Sequence, residues 1–268
     1  MLFAFTLTLL AGLATLIGGL LGLHKSLIQR RTLALALGFA AGAMLLVSFL
    51  EMLPAAQSSI AEQFGSRAFA ITLGVFFAGI AIVAIIDRLL PDAINPAERG
   101  GMEDQKNDGL SASDVKRLRR SGLLMAIAIG LHNFPEGLVT FVGAMQDPQL
   151  GIVLAVAIAI HNIPEGIAVA APIYAATKNR RKAFGYAALS GLAEPVGALV
   201  GYLLLATMLP EGLIGLLFAA VAGMMVFISL HELLPAAMRY ATTKHQTIYG
   251  TVGGMGVMTL SLVLLQVS

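Results

Sequence analysis

The sequence contains no cysteine. Disulfides, thiolate metal sites and cysteine nucleophiles are therefore excluded. Charge is scarce as well. Only 12% of the 268 residues are charged, and 57% are hydrophobic. An ordinary soluble domain carries about 25% charged residues. A polar shell cannot be built from this composition. No positive residue precedes the first apolar run, which therefore reads poorly as a cleaved signal peptide. Lys25, Arg30 and Arg31 come after it.

What the chain has instead is long apolar runs. A helix needs roughly 20 apolar residues to cross a hydrocarbon core of about 30 Å. Eight runs meet that length, at approximately residues 2–23, 32–53, 68–90, 121–145, 149–174, 183–208, 212–238 and 246–267. The connections are short except for 91–120, which is polar, contains Gly and Pro, and reads as a flexible surface loop.

The basic residues test that count. If eight runs cross the bilayer, the connections after the odd-numbered runs share one side. They carry 16 of the 17 Lys and Arg, and the other side carries only Arg67. Positive-inside bias then puts loop 91–120 in the cytoplasm and both termini outside it. The expected fold class is an all-α integral membrane protein, with one transmembrane domain over 1–268. The expected location is the inner (plasma) membrane of the cell, multi-pass. The expected partners are the lipid bilayer and divalent metal ions, with no nucleic acid.

The chain also repeats itself. "GAMLLVSFLEMLPAA" (42–56) matches "GMMVFISLHELLPAA" (223–237), pairing Gly42 with Gly223, Glu51 with Glu232 and Pro54 with Pro235 at an offset of 181. The same offset is expected to carry the first run onto the sixth and the third onto the eighth. Runs two and seven have opposite parity, so the predicted plan is an inverted 3+2+3 repeat. Inverted repeats around a midplane site are a frequent transporter plan.

Ionisable residues inside bilayer spans are costly and mark function by default. Here they are Glu51, His132, Glu136, His161, Glu165, Glu194, His231 and Glu232. "LHNFPEG" (131–137) and "IHNIPEG" (160–166) place His and Glu four apart, on one helix face. Asn133 and Asn162 lie three residues before each Glu. Pro135 and Pro164 are expected to free the carbonyls of Leu131 and Ile160 and to break or kink both helices. Imidazole and carboxylate together suit first-row divalent metals. Two facing motifs would hold two metals, with Glu136 and Glu165 bridging and Glu194 adding a carboxylate. Glu51, His231 and Glu232 fit a polar pathway or a satisfied pair near a helix end. Asp87 and Arg88 read as boundary charges. Gly18–Gly22 and Gly197–Gly201 read as close helix packing.

At "HNFPEG", "HNIPEGIAVA", "SGLAEPVGA" and "HELLPAA" the chain resembles the ZIP (Zrt/Irt-like protein) metal transporters, and most of all their compact bacterial ZupT-type members. The resemblance covers essentially the whole chain. It implies eight helices in a 3+2+3 inverted plan with both termini outside. It implies a binuclear site, one metal on His132, Glu136, His161 and Glu165, the other on Asn133, Glu136, Asn162, Glu165 and Glu194. A homodimer and an elevator-like movement are implied in the same way. Larger relatives carry a His-rich loop before the fourth helix. Loop 91–120 has no histidine, which argues against a metal-capturing role for it.

The expected function is uptake of Zn2+ into the cytoplasm, with Fe2+, Mn2+, Co2+ and Cd2+ as further candidate substrates. Two alternatives stay open. One is a membrane-embedded dimetal carboxylate enzyme or zinc protease. The dimetal motif is Glu-x-x-His and the protease motif His-Glu-x-x-His. Residue 235, where the second protease His belongs after His231–Glu232, is Pro. The other alternative is a metal-gated channel or sensor using the same site.

Overall fold

The computed structural model of the chain describes residues 1–24, 29–89, 112–207, 212–243 and 245–267. Their regular structure is entirely helical. In order come α1 (Leu2–Leu21), α2 (Arg30–Val47), a π-helical turn (Ser48–Met52), α3 (Leu53–Phe64) and a 3-10 turn (Gly65–Arg67). Next are α4 (Ala68–Leu89), α5 (Ala112–Gln146), α6 (Pro148–Thr177), α7 (Arg180–Gly191) and α8 (Ala193–Thr207). The last are α9 (Gly212–Ile228), a second π turn (Ser229–Leu233), α10 (Leu234–Tyr240) and α11 (His245–Val267). Six stretches among the described residues are long and apolar enough to cross a membrane, and one of them runs from Arg30 to Arg88.

Local chemistry explains the ends. Asp147 caps α6 by accepting a hydrogen bond from the Gln149 amide at 2.8 Å, and Pro148 opens that helix with the φ it needs. Lys178 closes it in the left-handed region, at φ 52°. Asn179 then caps α7 through the Lys182 amide at 3.0 Å. Gly65, at φ 54°, turns the chain from α3 into α4, a conformation glycine adopts without cost.

Three expectations need correction. The polar segment is not all loop: α5 begins at Ala112, because "SDVKRLRR" is rich in helix-forming Lys, Arg and Leu. Residues 90–111 lie outside the described residues. The second run does not end at 53, since α3 continues it to Phe64. The helix also runs through Pro135 and Pro164 without a break. One missing amide donor leaves the surrounding helical bonds in place, and in lipid there is no better partner for them. The break falls instead at Leu192, between α7 and α8. Pro195 clashes with the carbonyl four residues back, which is that of Gly191, and the Val196 amide reaches the Leu192 oxygen only at 3.4 Å.

The π turns follow the same logic. In each, an amide bonds five residues back, Leu53 to Ser48 and Leu234 to Ser229. Pro54 and Pro235 come next, and the wider turn gives their rings room.

Two layers of helices result. α1, α5, α6, α7 and α8 pack together, and α2, α4, α9, α10 and α11 form the other group, with α2 lying against α6. Among those six stretches the most enclosed lies in α6, 72% buried over its apolar window. The outside is apolar: Phe69, Phe77 and Ile85 on α4, and Val252, Leu260 and Leu264 on α11, are all exposed. The inside holds the polar side chains. That inversion suits a molecule whose solvent is lipid.

Candidate metal centre

Glycines let the first layer close around α5 and α6. A Cβ on Gly18 would lie 2.0 Å from the Ile163 oxygen, and one on Gly166 2.0 Å from the Thr15 oxygen. The same contact recurs on the other side. A Cβ on Gly197 would meet the Phe134 oxygen at 2.1 Å, and one on Gly137 the Glu194 oxygen at 2.1 Å. Gly18 thus corresponds to Gly197 and Thr15 to Glu194, an offset of 179. Gly137 corresponds to Gly166 at 29. In the second layer Gly42 meets Thr251 and Gly254 meets Phe39, while Gly223 meets Phe76 and Gly79 meets Ala220. Gly42 maps to Gly223 at 181, but Gly79 maps to Gly254 at 175. A single offset of 181 therefore holds only for α2 and α9. Connections of unequal length shift the other helices.

These contacts are backbone against backbone, so an added methyl has no flexible neighbour to displace. Gly166→Ala is expected to lower stability by about 1–3 kcal/mol. Thermal unfolding in detergent measures it. Gly185, with nothing within 4 Å of its Cβ position, is the control site that should tolerate alanine.

The packing brings all seven central residues together in the interior. His132, Asn133, Glu136, His161, Asn162, Glu165 and Glu194 are each buried. The imidazoles pair across the helices rather than within them. His132 Nε2 lies 3.3 Å from Glu165 Oε1, and His161 Nε2 lies 3.4 Å from Glu136 Oε1. The asparagines face the flanking helices. Asn162 Nδ2 donates to the Ala11 oxygen at 3.0 Å and to Glu194 Oε1. Asn133 Nδ2 donates to the Ser190 oxygen at 3.4 Å. Ala11 and Ser190 again differ by 179.

The inventory is short of donors. Both oxygens of Glu136 and Glu165, Oδ1 of Asn133 and Asn162, and Oε2 of Glu194 accept no hydrogen bond. No Lys or Arg occurs between residues 121 and 177. Buried acceptors without donors are costly, and buried carboxylates without a counter-charge cost several kcal/mol each. A cation removes both penalties. The donor set of imidazole, amide and carboxylate oxygen suits a divalent transition metal.

A second polar group lies toward the ends of α4 and the second π turn. Asp87, His231 and Glu232 each offer a ligand atom, all within 4.8 Å of one another. His231 Nδ1 is 3.8 Å from Asp87 Oδ2 and 3.5 Å from Glu232 Oε1. The imidazole stacks on Phe227, ring centres 4.8 Å apart. Asp87 is thus more than a boundary charge. Its partners lie far along the chain, so local pattern could not find it. A cavity of about 170 Å³, lined by Asp87 and Glu232 at one part and His132 and Pro135 at another, joins this trio to the central site. Glu51, the repeat mate of Glu232, is half-buried in the first π turn, within electrostatic reach of Asp147.

Comparison with known proteins agrees with this layout. The family model described as "ZIP Zinc transporter" matches residues 95–262. The chain belongs to the ZIP family. Curated relatives extend the match over nearly the whole length. A protein of Chlorobaculum parvum named "Zinc transporter ZupT" is 52% identical over 265 residues, covering 98% of this chain and 97% of its own. A protein of the same name from Corynebacterium efficiens is 53% identical over 269 residues, covering 98% and 97%. One from Clostridium perfringens is 46% identical over 274 residues, covering 98% and 96%. As a ZIP protein the chain is a multi-pass membrane protein, of a family of transporters rather than enzymes.

Proposed function

We propose that this ZIP protein carries divalent metal ions, zinc first among them, into the cytoplasm through a two-metal site between α5 and α6. The observation that carries this is the set of buried, undonated oxygens of Glu136, Glu165, Asn133, Asn162 and Glu194, set against two imidazoles. One ion would be held by His132, Glu136, His161 and Glu165. The other would use Asn133, Glu136, Asn162, Glu165 and Glu194. The names of the curated relatives support zinc. The ligand types also admit Fe2+, Mn2+, Co2+ and Cd2+.

The full plan proposed is eight spans in an inverted 3+2+3 repeat, within one domain over 1–268. The distribution of basic residues supports both termini outside and the 91–120 segment inside. In support, α1 with α6 repeats the contacts of α5 with α8, and α2 with α11 repeats those of α4 with α9. On this topology Asp87, His231 and Glu232 face the cytoplasm. The ion loses water at the centre, then moves through the lined cavity to the trio, which holds it more loosely because it is half-exposed. Glu51 lies on the opposite, outer side. A homodimer through the exposed apolar faces, and an elevator-like shift of the first layer against the second, belong to the same reading. A channel with the same site would show no saturation at low ion concentration.

Vesicles containing the purified protein test it. Zinc uptake is expected to saturate, to be reduced by competing Cd2+ and Fe2+, and to weaken between pH 7.5 and about 5.5. The pH effect follows because protons compete with metal for imidazole and carboxylate. Absence of zinc uptake at either pH would refute the assignment.

A further inference from the structure

The pseudo-symmetry of the first layer has one conspicuous mismatch. Glu194 on α8 and Thr15 on α1 are structural mates, yet one carries charge and the other a hydroxyl. The two side chains start from equivalent places. The Glu194 Cβ lies 3.4 Å from where a Cβ on Gly12 would be, and the Thr15 Cβ 2.9 Å from where one on Gly191 would be. Gly12 and Gly191 are themselves mates, each 2.6 Å from the other's oxygen by the same construction.

Among the described residues Thr15 is one of three buried hydroxyls without a hydrogen-bond partner, with Ser190 and Thr247, and the one that lies opposite Glu194 in the repeat. Helical Thr and Ser normally bond the carbonyl four residues back. Thr8, Thr72, Thr140, Thr177 and Thr251 do so here. The matching acceptor for Thr15 is the Ala11 oxygen, which instead accepts from Asn162 Nδ2 at 3.0 Å. Thr15 is fully buried, and its Oγ1 has no partner. The same Asn162 amide also donates to Glu194.

We infer that Thr15 is a specificity-determining residue of the second metal position, presenting its hydroxyl oxygen across from Glu194 as a neutral counterpart to that carboxylate. The inference rests on the two-metal reading above. Its chemistry is economical. A second Glu at this place would add to Glu194 a second unshared negative charge around one ion and hold it too tightly to release. A neutral oxygen completes the coordination or orients a bound water without that charge. With Asn133, Asn162 and Thr15 around it, this position is rich in oxygen and lacks imidazole. Hard ions such as Mn2+ should therefore favour it over the imidazole-bearing position.

The test measures binding of Zn2+ and Mn2+ by equilibrium dialysis on the purified wild type, T15S, T15V and T15A. The second zinc ion is expected to bind about 10-fold more weakly in T15V and T15A, the scale on which metal sites respond to loss of a supporting group. T15S should match the wild type, and the first ion should be unaffected throughout. Mn2+ affinity should fall at least as much. Equal second-ion affinity in all four proteins would overturn the inference, as would loss in T15S equal to that in T15V. A wild type that binds no zinc would instead defeat the metal site itself. A wild type that binds two ions, with T15V unchanged, defeats only the role of Thr15.

Discussion

Glutamine at both Glu136 and Glu165 is expected to reduce zinc uptake by vesicles to that of empty ones, with apparent affinity falling at least about 100-fold. Loss of a group that merely supports a ligand costs about 10–100-fold, and these two carboxylates are shared between both proposed ions. The geometry gives a second, opposite expectation. Each carboxylate is buried against an imidazole at 3.3–3.4 Å and accepts no hydrogen bond. Neutralising both removes two buried charges while keeping shape. Metal-free protein should therefore unfold at an equal or higher temperature than wild type, since a buried carboxylate without a compensating charge is costly and the imidazoles left beside glutamine can stay neutral. Transport lost with stability kept separates a ligand role from a packing role. Wild-type flux in the double variant would sink the assignment.

The half-exposed trio carries the second large effect. D87N together with E232Q is expected to lower the maximal uptake rate about 10-fold, the low end of what loss of metal-site groups costs. The zinc concentration for half-maximal uptake should change by less than about twofold. A change in turnover without a change in affinity marks a step after binding. The reverse pattern, weaker affinity with unchanged maximal rate, would make the trio part of the loading site instead.

Much of this was legible in the chain, and the failures are instructive. The His-Asn-x-Pro-Glu motifs were readable because lipid makes polar residues conspicuous, and all seven central residues meet in the interior. The cross-helix pairing of His132 with Glu165 was not readable, since spacing within a helix says nothing of its neighbour's rotation. Asp87 was missed because it closes an apolar run, where charge is ordinary, and its partners lie on α10's side of the fold. The effect of proline was misjudged by position. Pro135 and Pro164 sit in continuous helix, while Pro195 interrupts one and Pro54 and Pro235 follow π turns. Missing one amide is tolerated or not according to how tightly neighbours hold the rest of the turn. Thr15 carried no local signal at all. Only its contact with Gly166, mirrored by Glu194 with Gly137, gives it away.

The two π turns also bear on how the repeat arose. Each contains one residue more than an α-turn needs, at matched positions, Ser48–Met52 and Ser229–Leu233. One insertion in a half-length ancestor, later copied, explains both more simply than two separate insertions. The glutamate within the turn, now Glu51 and Glu232, would be equally old. His231 and Asp87 have no such counterparts, their mates being Leu50, at 181, and Leu262, at 175. Only one copy therefore carries the Asp87–His231–Glu232 trio, so the two ends of the molecule differ chemically.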